Sequence, residues 1–330
     1  MSSNIPSSVI HTKRATQTFF SSTDRPPHML IVRQTNPQKS DFKTISDAVN
    51  ALKALEGPVN IFIHPGVYHQ QVHIKYKYPL RIQGYTSTPG SAAANKVTVQ
   101  VAVSAASRGG RTAQSSAIWV KSPRFEMLNV NVVNSFGKGT DKQAVALTAQ
   151  GEKHVYKFCH FSGYQDTLLI KTMSSYFFGC RIEGAVDFIL GGGTAWIQSS
   201  DILVRRPTKS YATITAQRRL PGQRTRFVFN KCEVLPYSPA TLPNSTYLGR
   251  PWSSYAAVTF QYSYLSNIVN PLGWIAWNRA SDEQKELVSY QEFKNYGPGS
   301  PTRKRQLGTV RSQPLQIADV LGSDYATWVR

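Results

Sequence analysis

The chain has 330 residues, 41% of them hydrophobic, enough for a sizeable core and against wholesale disorder. It carries 38 Lys and Arg against 18 Asp and Glu, formally +20, a balance that calls for a polyanionic partner, either nucleic acid or an acidic polysaccharide. No apolar run approaches the roughly 18 residues of a membrane span, and the three cysteines form no C-x-x-C or Cys/His cluster of the kind that holds zinc.

Residues 1–28 are polar and rich in Ser and Thr, without the apolar stretch of a secretory signal peptide, and are expected to be disordered. Either the protein stays inside the cell or this start omits a leader. One domain is expected over 29–330, opening with a strand at Met29 ("MLIVRQ"). "DFKTISDAVNAL" then places Ile45, Ala48, Val49 and Leu52 at i, i+3, i+4 and i+7, a short amphipathic helix. Beyond it, short β-branched and aromatic runs punctuated by Gly, Asn and Pro replace helical periodicity for more than two hundred residues.

These runs align on a column. Val155 and Tyr156 precede Cys159 and Phe161 follows it; Tyr176, Phe177 and Ile182 stand likewise around Cys180, and Val228, Phe229 and Val234 around Cys232. Trp196, Ile197 and Ile202 do the same around Ser200, so the anchors advance by 21, 20 and 32 residues. A strand-built repeat of that length is the signature of a solenoid. The fold class expected is therefore all-β, a parallel β-helix with a short N-terminal helix. The cysteines then occupy one inward column as small apolar residues, or Cys159 and Cys180 bridge adjacent coils. The basic clusters Arg205-Arg206, Arg218-Arg219, Arg224 to Arg226 and Arg303 to Arg305 read as solvated surface.

The segments "CHFSGYQDTLL" and "CRIEGAVDFIL" both read Cys-x-apolar-x-Gly-x-x-Asp. On adjacent coils, Asp166 and Asp187 would stack about 4.8 Å apart. Two carboxylates that close split their titrations, which lets one site hold both an acid and a base or nucleophile. The alternative is a ladder in which each Asp only bonds a loop amide. Gln165 and, one coil earlier, Gln143 supply neutral donors for a developing oxyanion. Arg250 in "YLGRPW" can hold a carboxylate ionised, and Trp252 offers a flat face to a sugar.

Taken together, "GVYHQ", "DKQAVALTAQG", "SGYQDTLL", "EGAVDFILG" and "YLGRPW" resemble the pectin methylesterases (pectinesterases, carbohydrate esterase family 8), and "IQGYTS" and "NKVTVQ" look most like the fungal branch. The resemblance runs from about Met29 to the C-terminal "VLGSDYATWV". It implies a single-stranded, right-handed parallel β-helix enzyme that hydrolyses methyl esters of galacturonate units in pectin, secreted to where its substrate lies. Carried over residue by residue, Asp187 is the nucleophile, Asp166 the general acid and then base, and Gln143 and Gln165 the oxyanion donors. Arg250 holds Asp187, while Trp252, Tyr164, Val186 and Leu190 line the sugar cleft. No metal or organic cofactor is implied, the partner is methyl-esterified pectin, and a monomer without membrane or nucleic-acid contacts is expected.

The chain departs from the family pattern at several places. Gln70 stands where Glu is usual, Leu190 where an aromatic borders the sugar, and Arg218 and Arg226 where Gly is usual. The tail "TRKRQLG" is basic where the family is acidic and Gly-rich. Two rivals follow: another β-helix pectinolytic enzyme, a lyase or polygalacturonase, and a catalytically impaired pectin-binding homologue. A calcium-dependent lyase would want clustered carboxylates, and beyond the two aspartates no such cluster is apparent.

Overall fold

A computed structural model of the chain describes residues 28–137, 142–208, 210–277 and 287–329. All but His28 of the polar N-terminal segment lies outside the described residues. His28–Val32 forms the first strand, one residue earlier than the sequence suggests. Short strands then build three sheets of eleven, seven and eight strands among the described residues, and in each sheet neighbouring strands come from successive coils. Every strand pairing is parallel, as in Val155 opposite Tyr176, Tyr176 opposite Trp196 and Trp196 opposite Val228. This is a parallel β-helix, and its register is the column read from the sequence.

The cysteine column has a backbone cause. From Asn129 onward, each described coil turns between the eleven-stranded and eight-stranded sheets through one residue with positive φ, and the residue after it points inward. The turn residues are Asn129, Phe158, Gly179, Ser199, Lys231, Tyr262 and Lys294, with φ from 45° to 58°. Val130, Cys159, Cys180, Ser200, Cys232 and Ser263 follow them, all buried. Serine hydroxyls on this column serve the coil before: Cys180 N donates to Ser200 Oγ and Cys232 N to Ser263 Oγ, each at 3.1 Å. The three thiols are free, so the Cys159–Cys180 bridge does not form.

Inward side chains stack coil on coil. Tyr156 lies on Phe177 with ring centroids 4.7 Å apart, Phe229 on Phe260 at 4.2 Å and Trp274 on Tyr290 at 4.1 Å, close to the strand spacing that dictates it. Helix α1 (Ile45–Ala51) buries Ile45 and Ala48 and covers the first coils. Thr44 caps it, accepting from Asp47 N at 3.0 Å, and Gln70 Oε1 accepts from Ser46 N and Oγ. Gln70 is thus a helix anchor.

Two features depart from the sequence reading. A helix that the sequence reading lacked, α2 (Ile317–Leu321), packs with Leu321 on the row Val155, Tyr176, Trp196 and Val228 and covers it. The basic clusters are also not uniformly surface. Arg205 pairs with buried Glu183, and Arg305 is buried against Glu292 at 2.7 Å. Burial alone would raise the Glu183 carboxyl, but His160 at 2.9 Å and Arg205 pull it below the usual carboxylate range.

The repeated Gly-x-x-Asp also has a steric origin. A Cβ on Gly163 would stand 2.7 Å from Thr167 Oγ1, and one on Gly184 would overlap the Phe188 side chain in the core. The chain doubles back there too tightly for any side chain. Gly184→Ala is expected to cost about 1–3 kcal/mol by overpacking, read as a lowered midpoint in urea. Gly163→Ala, whose Cβ would stand 2.7 Å from Thr167 Oγ1 and 3.3 Å from its Cβ and Cγ2, should cost less.

Candidate active site

Asp166 and Asp187 each follow their glycine by three residues and each sits in the left-handed region, with φ of 64° and 48°. Asp tolerates that conformation better than most residues. Gln165 bridges to Val186, and Asp166 N donates to Val186 O at 3.2 Å. The next residues, Asp166 and Asp187, therefore face each other across one coil step of about 4.8 Å. Both are nearly sealed, 6% and 3% exposed.

Their surroundings differ, and the difference separates their chemistry. Asp187 accepts a fork from Arg250, Nε to Oδ1 at 2.8 Å and Nη2 to Oδ2 at 2.5 Å, and a bond from Thr213 Oγ1 at 2.7 Å. Its own N–H donates to Thr213 Oγ1 at 2.9 Å. Arg250 is in turn stacked over Trp277, its guanidinium carbon 4.1 Å from the ring centre. Burial works against the Arg250 charge, but the bond to Asp187 and its field outweigh that and hold the guanidinium protonated. Asp166 has no such fork. Burial first, then the Asp187 charge, push its carboxyl well above the usual range, opposed only by the more distant Arg250. One carboxylate thereby carries a cation's fork, while burial and its neighbour's charge push the other toward its protonated form.

The two glutamines stand on successive coils, Gln165 beside Asp166 and Gln143 one coil earlier, where Ala144 N donates to Gln165 O at 3.1 Å. Gln165 Oε1 accepts from Lys142 N at 3.1 Å, which leaves its N–H groups for an incoming oxygen. Gln143 is half-buried, its backbone carbonyl accepting from Ala105 N at 2.8 Å. Among the described residues no group of three or more His, Cys, Asp or Glu side chains converges as a cation site requires.

The pectinesterase family model matches residues 31–312. The chain belongs to the pectinesterase family. A pectinesterase of Aspergillus aculeatus is 36% identical over 315 residues, 94% of this chain and 93% of that one. A probable pectinesterase A of Neosartorya fischeri is 36% identical over 289 residues, covering 87% and 86% of the two chains. The solved pectin methylesterase of Aspergillus niger superposes with a TM-score of 0.85 at 33% identity, over 94% of this chain and 99% of that one. The carrot pectin methylesterase does so at 0.77 and 28%, over 89% and 91%.

The proposed sugar-lining residues fall into two groups in this pectinesterase. Trp252, 40% exposed, lines a cleft of about 730 Å³ together with Trp119, Leu169, Gly191 and Arg218. Leu190 is buried with Leu169, Val145 and Ala216, and Trp119 and Trp277 pack against this cluster. Tyr164 and Val186 pack together in a separate buried cluster, with the Tyr164 hydroxyl accepting from Thr208 N at 2.7 Å. The cleft lining stops short of the aspartates. Gly191 is four residues along the strand from Asp187, at most about 13 Å, so the cleft continues the reaction site and is not a rival to it.

Sequence reading missed Thr213 and Trp277. Thr213 lies opposite Val186, and the pairing slips between Val186 and Ile189, which places its hydroxyl on Asp187. No residue pattern announces such a bulge. Thr213→Val would strand the Asp187 N–H and cost about 1–3 kcal/mol. It is also expected to lower kcat more than it raises KM, since it frees the Asp187 carboxylate to turn; methanol-release kinetics read both.

Proposed function

We infer that this chain is a pectin methylesterase that hydrolyses methyl esters of polygalacturonate to pectate and methanol. The single observation that carries the mechanism is the unlike pair: Asp187 gripped by Arg250 beside an Asp166 whose carboxyl burial pushes well above the usual range. A solved relative 26% identical, with a TM-score of 0.73 over 89% of this chain and 96% of that one, is described as a pectin methylesterase in complex with a hexasaccharide, which supports an oligosaccharide cleft here.

Asp187 attacks the ester carbonyl, and the Gln143 and Gln165 amides stabilise the tetrahedral oxyanion. Asp166 gives its proton to the departing methanol, leaving an acyl-enzyme anhydride and an ionised Asp166. Water then attacks the anhydride, Asp166 takes its proton, and the freed carboxylate of the sugar leaves with Asp187 restored. The substrate lies outside cells, so the enzyme acts there, as a monomer.

The test is acid titration of the purified chain with methylated pectin, with methanol measured in parallel. One acid equivalent per methanol is the expected result. Unsaturated products or new reducing ends would instead assign a lyase or a glycoside hydrolase, and binding without acid release would make the chain a pectin-binding relative.

A further inference from the structure

Gln143 stands before the strand Leu147–Ala149, outside the ladder that fixes the backbone of that strand. Its place is set by a side chain from another sheet. Asn134 closes the strand Asn131–Asn134 of the eight-stranded sheet and is 2% exposed. Its Nδ2 donates to Val103 O, Ser115 O and Val145 O, each at 2.9 Å. Its Oδ1 accepts from Val103 N and Phe136 N, each at 3.2 Å. An amide has two hydrogens for these three carbonyls, so they are shared. With carbonyls on one side and N–H groups on the other, only one orientation of the amide fits.

The groups that Asn134 grips converge on Gln143. Val103 and Ser115 are the two ends of the loop that supplies Arg111, Thr112, Ala113 and Gln114 to the cleft. Near the start of that loop, Ala105 N makes the 2.8 Å bond to the Gln143 carbonyl. On the other side of Gln143, Val145 N donates to Ser115 Oγ at 3.0 Å, while Val145 O takes the Asn134 amide. The same stretch carries Lys142 N, which holds Gln165 Oε1 at 3.1 Å, so both proposed oxyanion donors hang from it. The cleft loop has a further tie that does not involve Asn134: Gln71 Nε2 donates to Gln114 O and Ser116 O, each at 2.9 Å.

We propose that Asn134 is a positioning residue for the esterase reaction, setting the backbone of 142–145 so that the Gln143 and Gln165 amides meet the oxyanion formed at Asp187. This rests on the oxyanion role given to the two glutamines above. An oxyanion donor works only within about 2.7–3.1 Å of the place where charge develops. A displacement of about 1 Å can cost roughly 10²-fold in rate. Asn134 itself touches no substrate. Its influence falls on the transition state, where the charge appears, and therefore on kcat. Binding of the polymer depends on Asn134 much less, because Gln71 also ties the cleft loop.

A double-mutant cycle on methanol release tests it. Asn134→Ala is expected to lower kcat roughly 10²-fold, with KM and the calorimetric affinity for de-esterified galacturonate oligomers changed by no more than a factor of a few. Gln143→Ala alone should lower kcat by about 10² to 10³. Added to Gln143→Ala, Asn134→Ala should cost less than about tenfold more, the remainder passing through Gln165. Costs that multiply in full overturn the proposal, as does an unchanged kcat in Asn134→Ala. A loss confined to KM and affinity overturns it too. Ser115→Ala removes the acceptor of Val145 N and leaves Asn134 in place. It should lower kcat by roughly tenfold at similar KM, and thermal melts confirm that each variant is folded. Should Asn134→Ala not fold, the cycle of Ser115→Ala with Gln143→Ala decides by the same criterion. Wild-type turnover in folded Gln143→Ala is a different result: it fails the oxyanion reading itself, and this inference with it.

Discussion

Asp187→Asn is expected to lower kcat for methanol release by roughly 10⁴-fold or more, the scale of deleting a covalent nucleophile. Asn keeps the shape, tolerates the left-handed backbone and can still accept from Thr213, so the loss isolates the charge and nucleophilicity of one oxygen. The substitution also leaves the half-buried Arg250 without its counter-charge, at a cost of about 1–3 kcal/mol, and a lowered melting temperature should accompany the lost turnover. Binding of galacturonate oligomers at the neighbouring cleft should persist. That split, kcat lost and binding kept, separates chemistry from misfolding. Turnover within tenfold of wild type in a folded variant would remove Asp187 as the nucleophile.

Asp166→Asn should lower kcat by roughly 10² to 10⁴, the usual worth of a positioned acid and base, and it should change two pH profiles. Acylation requires Asp166 protonated, so wild-type activity falls as pH rises through its raised native value; the residual activity of the variant should lack that alkaline limb. Stability moves in the opposite sense to function. The native carboxyl is held above its unfolded value of about 3.9, so as pH rises the unfolded chain loses this proton first. Between the two values the native state alone retains it, and stability drains away. The variant should melt at the same temperature as wild type in acid below the unfolded value. It should melt progressively higher as the pH is raised toward neutrality. A variant that tracks wild type at every pH would mean that Asp166 is ionised in the native state, and the acid role would be lost with it.

Much of this architecture is legible from spacing alone. The columns through Tyr156, Phe177, Ile197 and Phe229 and through Phe161, Ile182, Ile202 and Val234 appear in the structure with the pairing that the sequence implied, because stacking repeats a chemical requirement at each coil. The left-handed corner is not legible, since it is filled by Asn, Phe, Gly, Ser, Lys, Tyr and Lys in turn. There the constraint is on the backbone and leaves side-chain identity open. Both aspartates and Arg250 could be found because a repeat and a compact motif mark them. Thr213 and Trp277 could not, because each reaches the site through a local slip or a later coil. Helix α2 escaped for a similar reason: Ile317–Leu321 is too short to show a period. Arg205 and Arg305 misled because a run of basic residues says nothing of a buried Glu elsewhere in the chain.

The thiols of Cys159, Cys180 and Cys232 are sealed inside the coil stack, and burial pushes those of Cys180 and Cys232 up to about 12 and that of Cys159 well beyond its ordinary value. At neutral pH almost no thiolate forms, and the thiolate is the form that oxidants and disulfides attack. The fold therefore draws none of its strength from sulfur bridging at these positions and offers peroxide no foothold there. It should hold equally well in a reducing cell interior and in the oxidising setting of a wounded wall.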